Sequence, residues 1–192
     1  MKPLAFALTS LTAGLSGATR LAIGRPDGVT LVHGDRRTAA HSFWAIPVAL
    51  PSVVCRLLMS WAADGMPAQP GRHMARELIM FVVGWLLFAE ASHAIARVIG
   101  RQAAWPRFIA LWNWCNVIEG VLVVGGGLPG LLGAPPMLAE AAEVITIGWA
   151  LWLEWYATRL TLNVSIAMAI GLVLVDQLIG VLLAMAAISL TG

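Results

Sequence analysis

The hydrophobic pattern of this chain has a helical period from its first turns. Leu4, Leu8, Leu11, Leu15, Ala18 and Ala22 recur at three- and four-residue steps, with Thr9, Ser10, Thr12, Ser16 and Arg20 off that stripe. Such spacing gathers the apolar side chains on one face and predicts an amphipathic helix over residues 1–24, lying in the plane of a membrane. A cleaved signal peptide is the rival, but only Lys2 is basic before the apolar stretch and no small-x-small cleavage site follows it. Residues 25–42 are the most polar part of the chain. Pro26-Asp27-Gly28 and Gly34-Asp35 are turn signals around the short apolar piece Val29-Thr30-Leu31-Val32, so a polar loop with a brief extended piece is expected.

Five long apolar segments follow, at residues 43–61, 77–99, 108–132, 137–156 and 162–190. Each is near or above the roughly 20 residues that a helix needs to cross hydrocarbon. The first holds Pro47 and Pro51, which kink a helix unless neighbouring helices or water satisfy the freed carbonyls. Trp44 and Trp61 bracket it as interfacial anchors do, and Trp105, Trp152 and Trp155 stand near the ends of others. Gly125-Gly126-Gly127-Leu128-Pro129-Gly130, followed by Ala134-Pro135-Pro136, is expected to break the third helix and turn it toward the fourth. The expected fold is all-α: a polytopic integral membrane protein with five transmembrane helices preceded by an N-terminal amphipathic helix. Residues 1–192 then form a single membrane domain, with the five-helix bundle at 43–192.

Composition agrees, since 59% of the residues are hydrophobic and 11% charged, whereas soluble domains carry about 25% charged residues. With mean hydropathy of +0.83, the bilayer is the expected solvent and principal partner, and the spans leave no room for a separate soluble domain. The 12 basic residues are spread without a run, which excludes a nucleic-acid footprint. Cys55 and Cys115 each fall inside an apolar segment and make no paired or C-x-x-C pattern, so neither a disulfide nor a zinc site is expected. Counted by segment, Lys2, Arg20, Arg25, Arg36, Arg37, Arg97, Arg101, Arg107 and Arg159 fall on one side of the membrane, against Arg72 and Arg76 on the other. The excess of basic residues predicts a cytoplasmic N-terminus and an outside C-terminus.

Candidate chemistry lies with ionisable and polar groups at membrane depth, where a charge costs at least about 2.5–3.5 kcal/mol. Arg56 falls in the first span, Glu90 and His93 in the second, Asn113, Asn116 and Glu119 in the third, Glu154 late in the fourth, and Asp176 with Gln177 near the middle of the fifth. Asp176 is the deepest, and must either carry a proton or meet a cation such as Arg56. The functional reading of these groups is a proton or ion relay; the structural one is a polar clamp between helices, favoured for Asp176 and Arg56. Glu90, His93 and Arg97 share one helix face. Glu90-x-x-His93 is half of the signature that binds paired metals in helical bundles, but a second copy is absent and Glu140-x-x-Glu143 lacks the His. No metal or other cofactor is therefore expected, and Arg97 is read as offsetting Glu90 with His93 hydrogen-bonding between them. His33, His41 and His73 are read as solvated loop residues. No nucleophile elbow, H-E-x-x-H, Walker loop or c-type haem motif occurs, nor a convincing inverted repeat, so no catalytic residue is assigned.

Phe43-Trp44 before the proline-bearing first span, Trp112-Asn113-Trp114-Cys115-Asn116-Val117-Ile118, and Glu154-Trp155-Tyr156-Ala157-Thr158-Arg159 leading to Asn163-Val164-Ser165 and Asp176 carry a resemblance. The chain resembles, over nearly its whole length, the small five-span bacterial membrane proteins related to the Yip1 domain family. The resemblance implies a five-helix fold with a cytoplasmic N-terminal region, and no catalytic assignment follows from it; eukaryotic Yip1-like proteins are trafficking factors that associate with small GTPases and with each other. Together these readings favour a non-catalytic inner-membrane scaffold or accessory subunit, partnered by another membrane protein or by further copies of itself. The alternative is a small transporter or proton- or ion-conducting protein using Arg56, Glu90, Glu119 and Asp176.

Overall fold

In a computed structural model of the chain, residues 2–189 are described, with side chains described over 10–187; Leu4, Leu8 and Thr9 of the N-terminal stripe lie outside the latter. Helix α1 spans Lys2–Ala22, followed by a 3₁₀ segment at Pro26–Leu31 and the short α2 at Arg36–Ser42. The long helices are α3 (Ala45–Asp64), α4 (Pro70–Val98), α5 (Trp105–Leu131), α6 (Pro136–Leu162) and α7 (Ile166–Ser189). Five helices, counting α2 and α3 as one, are long and apolar enough to cross a membrane. Among the described residues there is no strand. The protein is a multi-span α-helical membrane protein.

The neighbours among the long helices close a circuit, α3 to α4 to α7 to α6 to α5 and back to α3. Helix α5 also carries α1 and α2 on its first half. That half is apolar on every side, and Phe108, Ile109, Leu111, Trp112, Asn113, Trp114 and Cys115 are all buried, as expected of a helix enclosed by others. By contrast α6 and α7 turn Val144, Ile145, Val181 and Met185 outward, where lipid solvates them.

Helix α1 is partly rotated from the stripe expected for it. Gly14, Gly17, Ala18, Leu21 and Ala22 face the protein, while Leu15 is 40% exposed. A Cβ on Gly14 would collide with the Trp114 indole, and one on Gly17 with the Gly28 carbonyl and Leu111. The helix docks on the wall of α5, and close docking selects small residues over leucines. Its last carbonyl, which lacks a helical partner, and one just beyond it accept hydrogen bonds from α6: Trp149 Nε1 donates to Ala22 at 2.9 Å and Tyr156 Oη to Gly24 at 3.1 Å.

The polar segment is not the loop with an extended piece that its turn signals suggested. Pro26 opens the 3₁₀ segment, where its missing N–H costs nothing. Asp27 binds Arg20 at 2.7 Å and Arg25 at 2.9 Å; the hydrogen bond and charge of Arg25, followed by Arg20, hold its carboxyl below the usual carboxylate range. Asp35 caps α2 by accepting from the Thr38 N–H at 2.9 Å and from its hydroxyl at 2.8 Å, and these bonds hold its carboxyl low as well. Arg107 Nε donates to the Val32 carbonyl at 3.1 Å, tying the segment to the start of α5.

A second correction concerns the glycine run, which does not break α5. The helix continues through it to Leu131 and ends only at Gly133, whose φ of +76° suits a residue without a Cβ. The run instead lets neighbouring helices approach. A Cβ on Gly126 would meet the Thr146 hydroxyl of α6, and one on Gly127 the Met59 methyl of α3. Packing thus overrides the weak helix propensity of glycine. In α3, Pro47 falls in the first turn, where the N–H has no partner to lose, and Pro51 alone lies inside the helix.

Candidate functional site

The polar residues of the spans divide into two sets with different surroundings. The first holds helices together near the arginine-rich end. Trp85 Nε1 donates to Asn113 Oδ1 at 2.5 Å, Asn113 Nδ2 donates to Ser42 Oγ at 2.7 Å, and Ser42 donates to the Ala39 carbonyl at 2.7 Å. All three side chains are buried, so every link joins groups that water cannot serve. A parallel chain runs from Trp105 Nε1 to Ser92 Oγ at 3.1 Å and on to the Ala89 carbonyl at 3.0 Å. Around them Phe88 stacks on Trp112 with centroids 4.4 Å apart, and Trp85 meets Trp112 edge-on at 5.6 Å. With α1 and α2 packed outside, this aromatic layer closes one end of the helix circuit.

The second set lines cavities within the circuit. A central cavity of about 410 Å³ touches all five long helices and is lined by Ser52, Arg56, Asn116, Glu119, Glu154 and Gln177, among others. It shares Arg56, Asn116 and Gln177 with a neighbour of about 370 Å³ that holds Asp176 and Glu77. It shares Arg56, Val123 and Ile147 with a third, of about 460 Å³, that reaches Asp64 and Glu143. Asp64 ends α3, Glu77 and Glu143 lie in the first third of α4 and α6, and Leu131 and Ala187 close α5 and approach the end of α7. Both flanking cavities therefore extend toward the same end of the bundle, the one opposite α1 and α2. Arg56 stands at the junction of all three.

Glu154 is 3% exposed, and its Oε1 receives the Trp112 indole N–H at a long 3.5 Å. Glu119 Oε1 is buried without a hydrogen-bond partner. Among the described residues Arg56 makes no ion pair and no hydrogen bond. The pairing of Arg56 with Asp176 that the sequence allowed is thus not made; the two face a shared cavity instead. Its carboxyl groups do not gather closely enough to ligate one metal ion, and among the described residues no other metal-ligating group of three is found.

Other candidates lie elsewhere. Glu90 and Arg97 both point outward, and no ion pair joins them; seven residues of helix separate them by about 10 Å, beyond contact for i and i+7 positions. His93 does not bridge them, but lies against the Trp105 ring with centroids 4.6 Å apart. His73 is not a solvated loop residue either. It sits on α4, accepts from Trp61 Nε1 at 3.3 Å and approaches Glu77 at 3.8 Å. Asn113 belongs to the sealing network and Asn116, whose Nδ2 donates to the Trp112 carbonyl at 2.9 Å, to the cavity. The rim residues Asp64, Glu77 and Glu143 carried no sequence signal of a common site, because only the pairing of helices brings their ends together. Comparison of the chain with family models, with curated proteins and with solved structures finds no match.

Proposed function

We propose that this protein is a small transporter or proton- or ion-conducting protein of a bacterial inner membrane, working through the cleft that Arg56 joins. The observation that carries the reading is the convergence of Glu119, Glu154 and Asp176 from three helices, with Arg56, on adjoining cavities that extend toward one end of the bundle. Ionisable side chains inside a membrane bundle are costly, and a water-accessible cavity between helices is where a transport pathway places them. On the charge bias of the flanking segments the α1 and α2 end is cytoplasmic, so the cleft faces outward and the aromatic layer is its inner gate. Reconstitution into liposomes with an entrapped pH-sensitive dye tests this. Flux above that of empty liposomes, lost in Glu119→Gln or Asp176→Asn, is expected; wild-type flux equal to empty liposomes under imposed pH and voltage gradients overturns it.

A second reading, a non-catalytic scaffold or accessory subunit of Yip1-like type, is favoured by one observation. Asn113 spends its side chain entirely on joining α2, α4 and α5, as a polar clamp does. Under that reading Asp176→Asn changes the abundance of a partner complex and no flux.

A further inference from the structure

The cleft combines a guanidinium without a protein partner and carboxyl groups deeper in, and their levels along the bundle are fixed by helix packing. Gly120 lies against Ser52 and Gly127 against Met59. Both steps are seven residues, so α3 and α5 run parallel in constant register. Arg56 is four residues beyond Ser52, and Glu119 one residue before Gly120. At 1.5 Å per residue the Arg56 backbone stands about 7.5 Å nearer the end opposite α1 and α2 than the Glu119 backbone, and both side chains line the central cavity, so a cation and a carboxyl group face one space from different levels.

We infer that the cleft binds a small zwitterionic solute, its carboxylate on Arg56 and its ammonium on Glu119. This deepens the transport reading and rests on the cleft being a solute site. Guanidinium is the side chain best matched to a carboxylate, which it holds by two parallel N–H donors, and Arg56 has no competing protein acceptor. Glu119 Oε1 is the complementary acceptor, buried and unserved. Asn116 and Gln177, which line both the central cavity and that of Asp176, supply neutral polar groups around the pair. The central volume of about 410 Å³ falls in the lower range of small-molecule sites and holds a small solute with some water.

Calorimetric titration of the whole protein in nanodiscs with L-alanine, ethylamine and propionate tests the inference. L-Alanine is expected to bind at least about tenfold more tightly than either singly charged analogue, since propionate leaves the buried Glu119 oxygen unserved and ethylamine forgoes the Arg56 guanidinium. Arg56→Gln should bring L-alanine to the affinity of ethylamine, and Glu119→Gln to that of propionate. Arg56→Lys, which keeps the charge, should retain binding within about tenfold and answers for any loss of folding in the glutamine variant. Equal binding of ethylamine and L-alanine overturns the inference in favour of a cation site, equal binding of propionate in favour of an anion site, and binding by none of the three overturns it outright. Proton flux without L-alanine binding refutes this inference alone, binding without flux of either protons or radiolabelled L-alanine refutes the transport reading alone, and absence of both binding and flux refutes the two together.

Discussion

Replacing Asn113 by alanine removes a residue that joins α2, α4 and α5 by side-chain hydrogen bonds. The substitution deletes two bonds at once, the 2.5 Å acceptance from Trp85 and the 2.7 Å donation to Ser42. Interhelical hydrogen bonds in membrane proteins average about 0.6 kcal/mol and reach about 1.7. The Trp85 indole N–H, buried at 3% exposure, is left unserved, which by itself costs about 1–3 kcal/mol. Ser42 loses a donor but keeps its own donation to Ala39, so its share is smaller. Asn113→Ala should therefore cost about 2–3 kcal/mol, and Trp85→Phe somewhat less. The double variant should fall short of the sum by about 1 kcal/mol, because the shared bond is lost only once. Unfolding in mixed micelles with rising dodecyl sulfate, followed by tryptophan fluorescence with the Trp85→Phe baseline subtracted, measures all three. A loss below about 0.5 kcal/mol for Asn113→Ala, or strict additivity in the cycle, would refute the claim that this network locks the sealed end.

Gly120→Leu should abolish assembly of the bundle, because even a Cβ at that position collides with the Ser52 hydroxyl; gel filtration of the variant showing the wild-type profile would contradict the α3–α5 register. Trp149→Phe should free the Ala22 carbonyl at a cost of about 1 kcal/mol and speed amide exchange in the last turn of α1 without affecting α7. Asp35→Ala should cost α2 about 1 kcal/mol, read as faster amide exchange at Thr38 and Ala39. The Asp35 carboxyl titrates lower in the folded chain than in the unfolded one, so its contribution is complete above about pH 4 and fades as pH falls through the folded value. Exchange in α2 that does not respond to acid would count against the cap.

The transmembrane helices were legible in the sequence because span length is dictated by bilayer thickness, not by tertiary detail. Their apolar lengths placed all five, although α4 starts at Pro70 rather than near 77 and α6 runs to Leu162 rather than 156; extra polar turns extend past the hydrocarbon and leave no hydropathy signal. The glycine run misled because its propensity is local while its role is to admit Thr146 and Met59. In α1, leucine periodicity overstated a lipid-facing stripe, since docking on Trp114 and Leu111 rewards Gly14 and Gly17. Arg56, Asn116, Glu119 and Asp176 could be named from their depth alone, and they do share connected cavities. Glu90 and His93 fitted a motif by spacing along one helix, yet spacing says nothing about which way a helix is turned, and Glu90 faces outward. The contribution of Glu154 needed the pairing of α5 with α6, which places it under Trp112.

Transport through this bundle requires a cleft open toward one end and sealed at the other. Val123 lies where the central and rim cavities meet. Replacing it by cysteine, with Cys55 and Cys115 changed to serine, gives a single reporter for a membrane-impermeant maleimide applied to sealed vesicles of either orientation. Labelling is expected from the face carrying Asp64 and Glu143, and none from the face carrying Arg97 and Arg159. Labelling only from the arginine-rich face, or from neither face, would contradict this arrangement.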